Sequence, residues 1–298
     1  MDCDYISLMQ RVTMLGLGIM GGGAAQNILK HKFELTVWNR TQSKADVLIA
    51  QGARWANTPR EAVTHADVVI SFVANDEAGS ATWLGDNGAL AGMRANTIAV
   101  ECGTMSLDQI RLLAGRAQAK GMRFMDAPVT GSKVAAANGQ LVLLVGADPN
   151  TLAEARPVLE SFSTSIVHFG PVGSGALYKL INNMVAASHL VALAEGLRLA
   201  QQGGLDMQRV GQAVPNGPFA SRIVLMKLPN ALSHDHSDVH FELQWMLKDI
   251  DYALKAAQEL NVVMPMMALT QQHFAQAVAN GAAHLDTSAV VDAPPVLD

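Results

Sequence analysis

Residues 12–21 read Val12-Thr13-Met14-Leu15-Gly16-Leu17-Gly18-Ile19-Met20-Gly21, an apolar strand-like run that breaks into Gly-x-Gly-x-x-Gly. The pattern is followed at once by the helix-like stretch Gly22–Lys30, and that context gives it a mechanical reading. Gly16 permits a tight turn, Gly18 lets a pyrophosphate approach the backbone, and Gly21 allows close packing of helix on strand. A dinucleotide would lie on the helix N-terminus, which makes Gly16, Leu17, Gly18, Ile19 and Met20 the candidate cofactor loop.

Outward from this turn the chain repeats one unit as far as residue 170: a short apolar or β-branched run, a turn, then helical periodicity. The strand candidates are Val12–Leu15, Leu35–Trp38, Val68–Val73, Thr97–Cys102, Arg123–Met125, Leu141–Val145 and Ile166–Phe169. Several are apolar throughout, as expected of a parallel sheet covered on both faces. Helices are expected over Gly22–Lys30, Lys44–Gln51 and Asp108–Lys120, the last with Ser106 as N-cap. After Gly170-Pro171 the β-branched runs stop, and Ala, Leu, Met and Gln recur at helical spacing. A helix predicted from Ser174 to Gln202 would be about 40 Å long and is expected to bridge two domains. Loops are expected around Pro215–Pro218 and from Pro229 to His240. The fold class is therefore α/β: a Rossmann-type doubly wound parallel sheet over 11–170, then an all-helical domain over 171–292. Met1–Gln10 reads as a short disordered leader without a signal peptide's cationic flank, and Asp292–Asp298 as a poorly ordered tail.

The 298 residues suit two domains of ~150 residues each. Apolar residues make up 50% and charged residues 16%, which excludes a solvated, disordered chain. Lys and Arg number 21 against 26 Asp and Glu, a formal charge of −5, so the field needed for non-specific nucleic-acid binding is absent. The apolar stretch Met184–Ala194 is shorter than the ~20 residues of a bilayer span, so no membrane partner is expected. Two cysteines, Cys3 and Cys102, make no disulfide framework and suit the cytoplasm.

An NAD-specific site places a carboxylate at the end of the second strand, where this chain has Asn39-Arg40-Thr41. Arg40 offers a planar fork of donors that suits a 2′-phosphate, and Thr41 a hydroxyl, so NADP(H) is expected to be preferred over NAD(H). The lesser alternative for Arg40 is a solvated surface charge. Asp126-Ala127-Pro128-Val129-Thr130-Gly131-Ser132-Lys133 follows a strand's carboxyl end and is either an ordinary polar turn or a cradle for a small carboxylate. On the long helix, Lys179 and Asn183 share a face at i, i+4 beside Leu177, Leu180 and Ile181. A lysine so placed is either a snorkelling surface residue or a dehydrated one able to exchange a proton with a substrate oxygen. Lys248-Asp249 reads as a solvated charge pair beginning another helix, with Phe241 on a loop as an aromatic core anchor. His234, His236 and His240 read as a polar loop, and no metal site is implied.

Four motifs in order, Gly16–Gly21, Asp126–Gly131, Gly173-x-Gly175-x-x-x-Lys179-x-x-Asn182-Asn183 and Lys248-Asp249, resemble the β-hydroxyacid dehydrogenase family over nearly the whole chain. That family includes 3-hydroxyisobutyrate dehydrogenases and has a 6-phosphogluconate dehydrogenase-like fold. The resemblance implies that Lys179 is the catalytic acid and base, that Asn183 orients the substrate, and that Thr130 and Gly131 bind its carboxylate. It further implies Thr104 near nicotinamide and substrate, Val73-Ala74-Asn75 across the adenosine side, and Lys248 approaching the cofactor from the second domain. Asn39-Arg40-Thr41, Gly131-Ser132-Lys133, Asn138–Leu141, Phe241 and Asp249 are similar to the glyoxylate/succinic semialdehyde reductase branch, where Phe241 and Asp249 would face substrate. The implied partners are a small carbonyl or hydroxy-acid substrate and further copies of the chain, as a homodimer or homotetramer. Alternatives are imine reduction, since Val37–Thr41 is similar to imine reductases, and a non-catalytic NADPH-binding sensor.

Overall fold

A computed structural model of the chain describes residues 11–294; the expected leader, Met1–Gln10 with Cys3, and the last four residues of the expected tail, 295–298, lie outside the described residues. The chain divides into two compact units with the boundary between Lys179 and Leu180.

The first unit is built on one sheet of nine strands: β1 (Arg11–Leu15), β2 (Glu34–Trp38), β3 (Arg54–Trp55), β4 (Val68–Ser71), β5 (Ile98–Glu101), β6 (Arg123–Asp126), β7 (Val129–Thr130), β8 (Leu141–Gly146) and β9 (Ser163–Gly170). Their order is β3-β2-β1-β4-β5-β6-β8-β7, with β9 paired to β8. β1 to β6 are mutually parallel. Because the chain leaves β1 toward β2 on one side and returns to β4 on the other, the loops after β1 and β4 part at a topological switch point.

The sheet departs from the expected all-parallel order at β8, which runs antiparallel to β6 and β7. The helix between them, Lys133–Ala137, has five residues and spans roughly 7 Å, too little to carry the chain back along the sheet. The chain therefore reverses at the same edge. β3 and β7 have two residues each, too few for a period to register in the sequence.

β4 and β5 are buried at every position, the pattern of strands covered on both faces. Val12, Met14, Ile28, Val37, Ile70 and Val100 share the core of this unit, each contributing on the order of 1.5–3 kcal/mol by burial. Ser106 caps the Leu107–Gln118 helix, accepting a bond from the Gln109 amide, as the sequence indicates.

The second unit is helical: Met207–Ala213, Arg222–Ser233, Leu243–Glu259, Pro265–Ala277, a short 3-10 segment Thr287–Asp292, and most of the Ser174–Gln202 helix, which enters it from the first unit. Ser174–Gln202 has the bounds read from its sequence. As a helix it is long and apolar enough to cross a membrane by length and composition. Within this unit, however, Ala187, Leu190 and Val191 join one core and Leu193, Ala194 and Leu197 another.

One loop expectation and one tail expectation are corrected here. Pro229 does not end the Arg222–Ser233 helix, which runs on to a left-handed His234. Leu228 and Ala231 are buried in the second core, and that packing offsets the one backbone bond a proline removes. The tail does not fray at Asp292: Ala289, Val290, Val291 and Ala293 are buried, and the Arg198 guanidinium donates to the carbonyls of Val291 and Ala293.

Candidate active site

The first strand ladder continues past its end, the Gly16 amide donating to the Trp38 carbonyl at 2.9 Å, so the glycine-rich turn begins as an extension of the sheet. Gly16 has φ +95°, and a Cβ there would collide with the Phe72 carbonyl. A Cβ on Gly21 would strike the Gly16 carbonyl in turn. A Cβ on Gly18 would meet nothing within 4 Å. The turn is thus closed on its protein side and open at Gly18, which is the room a pyrophosphate needs at a helix N-terminus. Leu17, Ile19 and Met20 complete the turn into the Ile19–Lys30 helix. These residues fit a nicotinamide dinucleotide.

Asn39 has a role the sequence did not suggest. Its Oδ1 accepts from the Leu17 amide at 2.9 Å and its Nδ2 donates to the Thr41 carbonyl at 2.8 Å, so the side chain ties the glycine turn to the end of β2. Arg40 and Thr41 are exposed beside it, and Arg40 forms no hydrogen bond or ion pair with any described residue. Across the switch point, Asn75 caps the Asp76–Trp83 helix through the Ala78 amide, leaving Val73 and Ala74 as the accessible part of that loop. A Cβ on Gly103 would collide with the Val73 carbonyl, so the loops after β4 and β5 touch, and half-buried Thr104 follows directly.

Two buried carboxyls sit at adjacent strand ends, paired in register: Glu101 on β5 and Asp126 on β6. Glu101 accepts from Trp83 Nε1 and the Gly103 amide, each at 2.6 Å, and burial pushes it up to about 7. Asp126 accepts from the amides of Gly173 and Ala176 at 2.6 and 2.7 Å, and burial pushes it up to about 6. Both therefore hold protons in the folded chain that the unfolded chain has already released between about pH 4 and pH 7, so stability falls as pH rises through that window. Asp67, Asp286 and Asp292 are shifted the other way by their cationic or donor partners, and their contribution is lost only as pH falls below about 4. The thermal midpoint is accordingly expected to be higher at pH 5.5 than at pH 8; equal midpoints would show that Glu101 and Asp126 are not held protonated by the fold.

Further along, Thr130 is half-buried on β7 and Gly131 exposed after it. The Ser132 oxygen accepts from the Ala135 amide and caps the Lys133–Ala137 helix, which leaves its O–H as a donor beside Thr130.

The Ser174–Gln202 helix carries half-buried Lys179 and, one turn on, buried Asn183. In the second unit, Asn183 Oδ1 accepts from Asn182 Nδ2 at 3.0 Å and Asn183 Nδ2 donates to Asp249 Oδ2 at 2.6 Å. Asp249 is fully buried; Lys248 Nζ lies 2.9 Å from its Oδ1 and 4.8 Å from the Tyr252 ring centroid. This corrects the reading of a solvated pair at a helix start. The helix begins at Leu243, and Asp249 lies along its buried stripe of Leu243, Met246, Ile250 and Ala253, so the pair falls in the second turn and faces inward. Asp249 thus holds the Asn183 amide in one orientation.

Phe241 precedes that helix, and its ring packs against the core of the second unit, as a core anchor does. Its amide donates to Asp286 Oδ2 at 3.3 Å, and the His240 amide donates to the same oxygen at 3.0 Å. Lys227 Nζ reaches that oxygen at 2.7 Å in a buried ion pair, while the Ser288 amide donates to Oδ1. The sequence offered one signal for this hub, the capping pattern Asp286-Thr287-Ser288. The histidine loop is also more than polar surface: His236 is buried, 2.8 Å from Ser288 Oγ and 2.9 Å from Asp292, and His234 lies 2.6 Å from the other Asp292 oxygen. His240 Nε2 lies 3.2 Å from Asp238. Among the described residues no group of three or more His, Cys, Asp or Glu is placed to hold a metal ion.

Known proteins match both units. Residues 11–170 match the family model for the NAD binding domain of 6-phosphogluconate dehydrogenase, and residues 173–293 the model for the NAD-binding region of NADP-dependent 3-hydroxyisobutyrate dehydrogenase. The chain belongs to the β-hydroxyacid dehydrogenase family. It is an NAD(P)-dependent hydroxyacid dehydrogenase with a Rossmann domain followed by a helical domain. Among its relatives, glyoxylate/succinic semialdehyde reductase 2 of Arabidopsis thaliana is 32% identical over 95% of this chain and 78% of that protein. The NAD-dependent L-serine dehydrogenase of Pseudomonas aeruginosa is 33% identical over 95% of this chain and 97% of that one. The structure of Mycobacterium tuberculosis 3-hydroxyisobutyrate dehydrogenase with L-serine superposes with a TM-score of 0.86 at 29% identity, covering 96% of this chain and 99% of that one.

Proposed function

We propose that this dehydrogenase reduces a small aldehyde or keto acid of the glyoxylate or succinic semialdehyde kind, prefers NADP(H) over NAD(H), and oxidises the matching hydroxy acid in reverse. The observation that carries the reading is Asn183, buried and oriented by Asp249, one helical turn from half-buried Lys179. A bound nicotinamide dinucleotide supplies or accepts the hydride. Gly16, Leu17, Gly18, Ile19 and Met20 hold its pyrophosphate, with Val73, Ala74, Asn75 and Thr104 along it and Lys248 contributing a donor. Lys179 gives a proton to the carbonyl oxygen in reduction and takes it back in oxidation, a transfer worth typically ~10²–10⁴-fold in rate. Asn183 donates its remaining amide hydrogen to the same oxygen. Thr130 and Gly131 receive the substrate carboxylate through backbone amides; Thr104 in the first unit and Phe241 and Asp249 in the second are the other proposed substrate-binding residues.

The cofactor preference rests on an absence and a presence: no carboxylate follows β2, and the exposed Arg40 has no partner among the described residues to compete with a 2′-phosphate. A second copy of the chain is the proposed cover for exposed Val263, Met266 and Leu269 on the helical unit, giving a homodimer or homotetramer. A cytoplasmic location suits the buried free thiol of Cys102.

The test is a steady-state panel of glyoxylate, succinic semialdehyde, short hydroxy acids including serine, and cyclic imines, with both cofactors. Highest kcat/KM on an aldehyde with NADPH supports the proposal, whereas turnover confined to serine or to imines overturns the substrate class. Arg40→Asp should lower the NADPH-to-NADH ratio of kcat/KM by at least about tenfold, since a charge-assisted pair is replaced by repulsion. An unchanged ratio removes Arg40 from the assignment.

A further inference from the structure

The Ser174–Gln202 helix begins with a problem that its own sequence does not solve. The residue before it is Gly173, which has no side chain to cap the first-turn amides, yet Lys179 takes its position on the very next turn. The acceptor comes from 47 to 50 residues earlier. Asp126, at the end of β6, accepts from the Gly173 amide through Oδ1 and from the Ala176 amide through Oδ2. Above about pH 6 the carboxyl is ionised, and its negative charge meets the positive end of the helix dipole.

The surroundings are shaped to hold this clamp. A Cβ on Gly146 would lie 2.6 Å from Asp126 Oδ1, and one on Gly175 would lie 2.9 Å from Oδ2, so both backbones close directly on the carboxylate. The side chain is fully buried and anchored at its own base by the β6 ladder, where Asp126 pairs with Glu101. Lys179 follows Ala176 by three residues, one helical turn. All of these residues belong to the first unit.

We propose that Asp126 is a positioning residue for the reaction: it clamps the first turn of this helix to the carboxyl end of β6 and thereby sets where the Lys179 ammonium stands relative to the sheet that carries the cofactor loop. It touches neither substrate nor cofactor. The proposal rests on the reading of Lys179 as proton carrier, and a misplacement of about 1 Å at such a group costs up to about 10²-fold in rate.

The experiment is a double-mutant cycle of Asp126→Asn and Lys179→Ala, measured as kcat, KM and dinucleotide dissociation constant. Asn keeps one acceptor oxygen but turns an amide toward the helix donors. Asp126→Asn should lower kcat by about 10- to 100-fold with the dinucleotide constant within about threefold of the parent, and should add no further loss once Lys179 is alanine. A kcat within threefold of the parent overturns the proposal, even if the thermal midpoint falls, and so does an equal loss in both backgrounds. A parent that turns over none of the panel substrates refutes the catalytic reading instead. Should Asp126→Asn not fold, amide hydrogen exchange on the parent decides: protection of the Gly173 and Ala176 amides matching that of Leu180 supports the clamp, and exchange at the rate of a frayed helix end overturns it.

Discussion

Replacing Lys179 with alanine is expected to lower kcat by about 10²–10⁴-fold while the dinucleotide dissociation constant stays within about threefold of the parent. The split follows from placement. The pyrophosphate cradle is closed by Gly16, Gly21 and Asn39, all well before the helix in sequence and none bonded to it. Lys179→Arg sharpens the test. A guanidinium keeps the positive charge but does not release a proton at working pH, so a general acid and base would be lost nearly as completely as with alanine. A Lys179→Arg enzyme with parent-like kcat would mean that the group acts by charge alone, and a Lys179→Ala enzyme with parent-like kcat would remove it from the mechanism.

The second large effect is on stability. Asp286→Ala is expected to cost about 3–5 kcal/mol, because it leaves the buried Lys227 ammonium without its counter-charge. It also releases the amides of His240, Phe241 and Ser288 that converge on the same carboxylate. Denaturant unfolding of parent and variant measures the difference, and a loss below about 1 kcal/mol would show that the pair is not the anchor of this loop. Lys227→Met should be milder, since three backbone donors still satisfy the carboxylate that remains. In activity assays both variants should raise KM more than they lower kcat, as Phe241 loses its fixed backbone while Lys179 is untouched.

Much of the frame could be read directly. The Gly16–Gly21 turn sits between a strand and a helix as expected, and the Ser174–Gln202 helix has the limits that its composition set. These features announce themselves because strand and helix periods are local. What escaped were consequences of chain reversal and long-range pairing. Nothing near Lys133–Ala137 states that its helix is too short to return the chain, so the antiparallel run of β8 went unseen. Pro229 looked like a breaker because the burial of Leu228 and Ala231 is settled by residues far away.

The candidate site divides in the same way. Lys179, Asn183 and the glycine turn stand out by motif. Asn39 stands out in the sequence only as the absence of a carboxylate, yet its carbonyl is committed to the Leu17 amide. Glu101, inside a strand, and Asp126, inside a motif, carry no role in the sequence, because a carboxyl at a strand end becomes a buried acceptor only when another element brings donors to it. Asp249 was read as part of a solvated pair for want of knowing that its helix starts six residues earlier, at Leu243.

The stapling of residues 287–293 by His234, His236 and Arg198 bears on how the polypeptide emerges from the ribosome. Val290 and Val291 are among the last described residues, and each completes a different one of the helical unit's two apolar clusters. A nascent chain paused before Thr287 has every strand of its sheet, all of which precede residue 171, but its two helical clusters still lack Val290 and Val291. The helical unit is therefore expected to gain protease resistance in a series of C-terminal truncations only when residues 287–293 are present, whereas the sheet needs none of them.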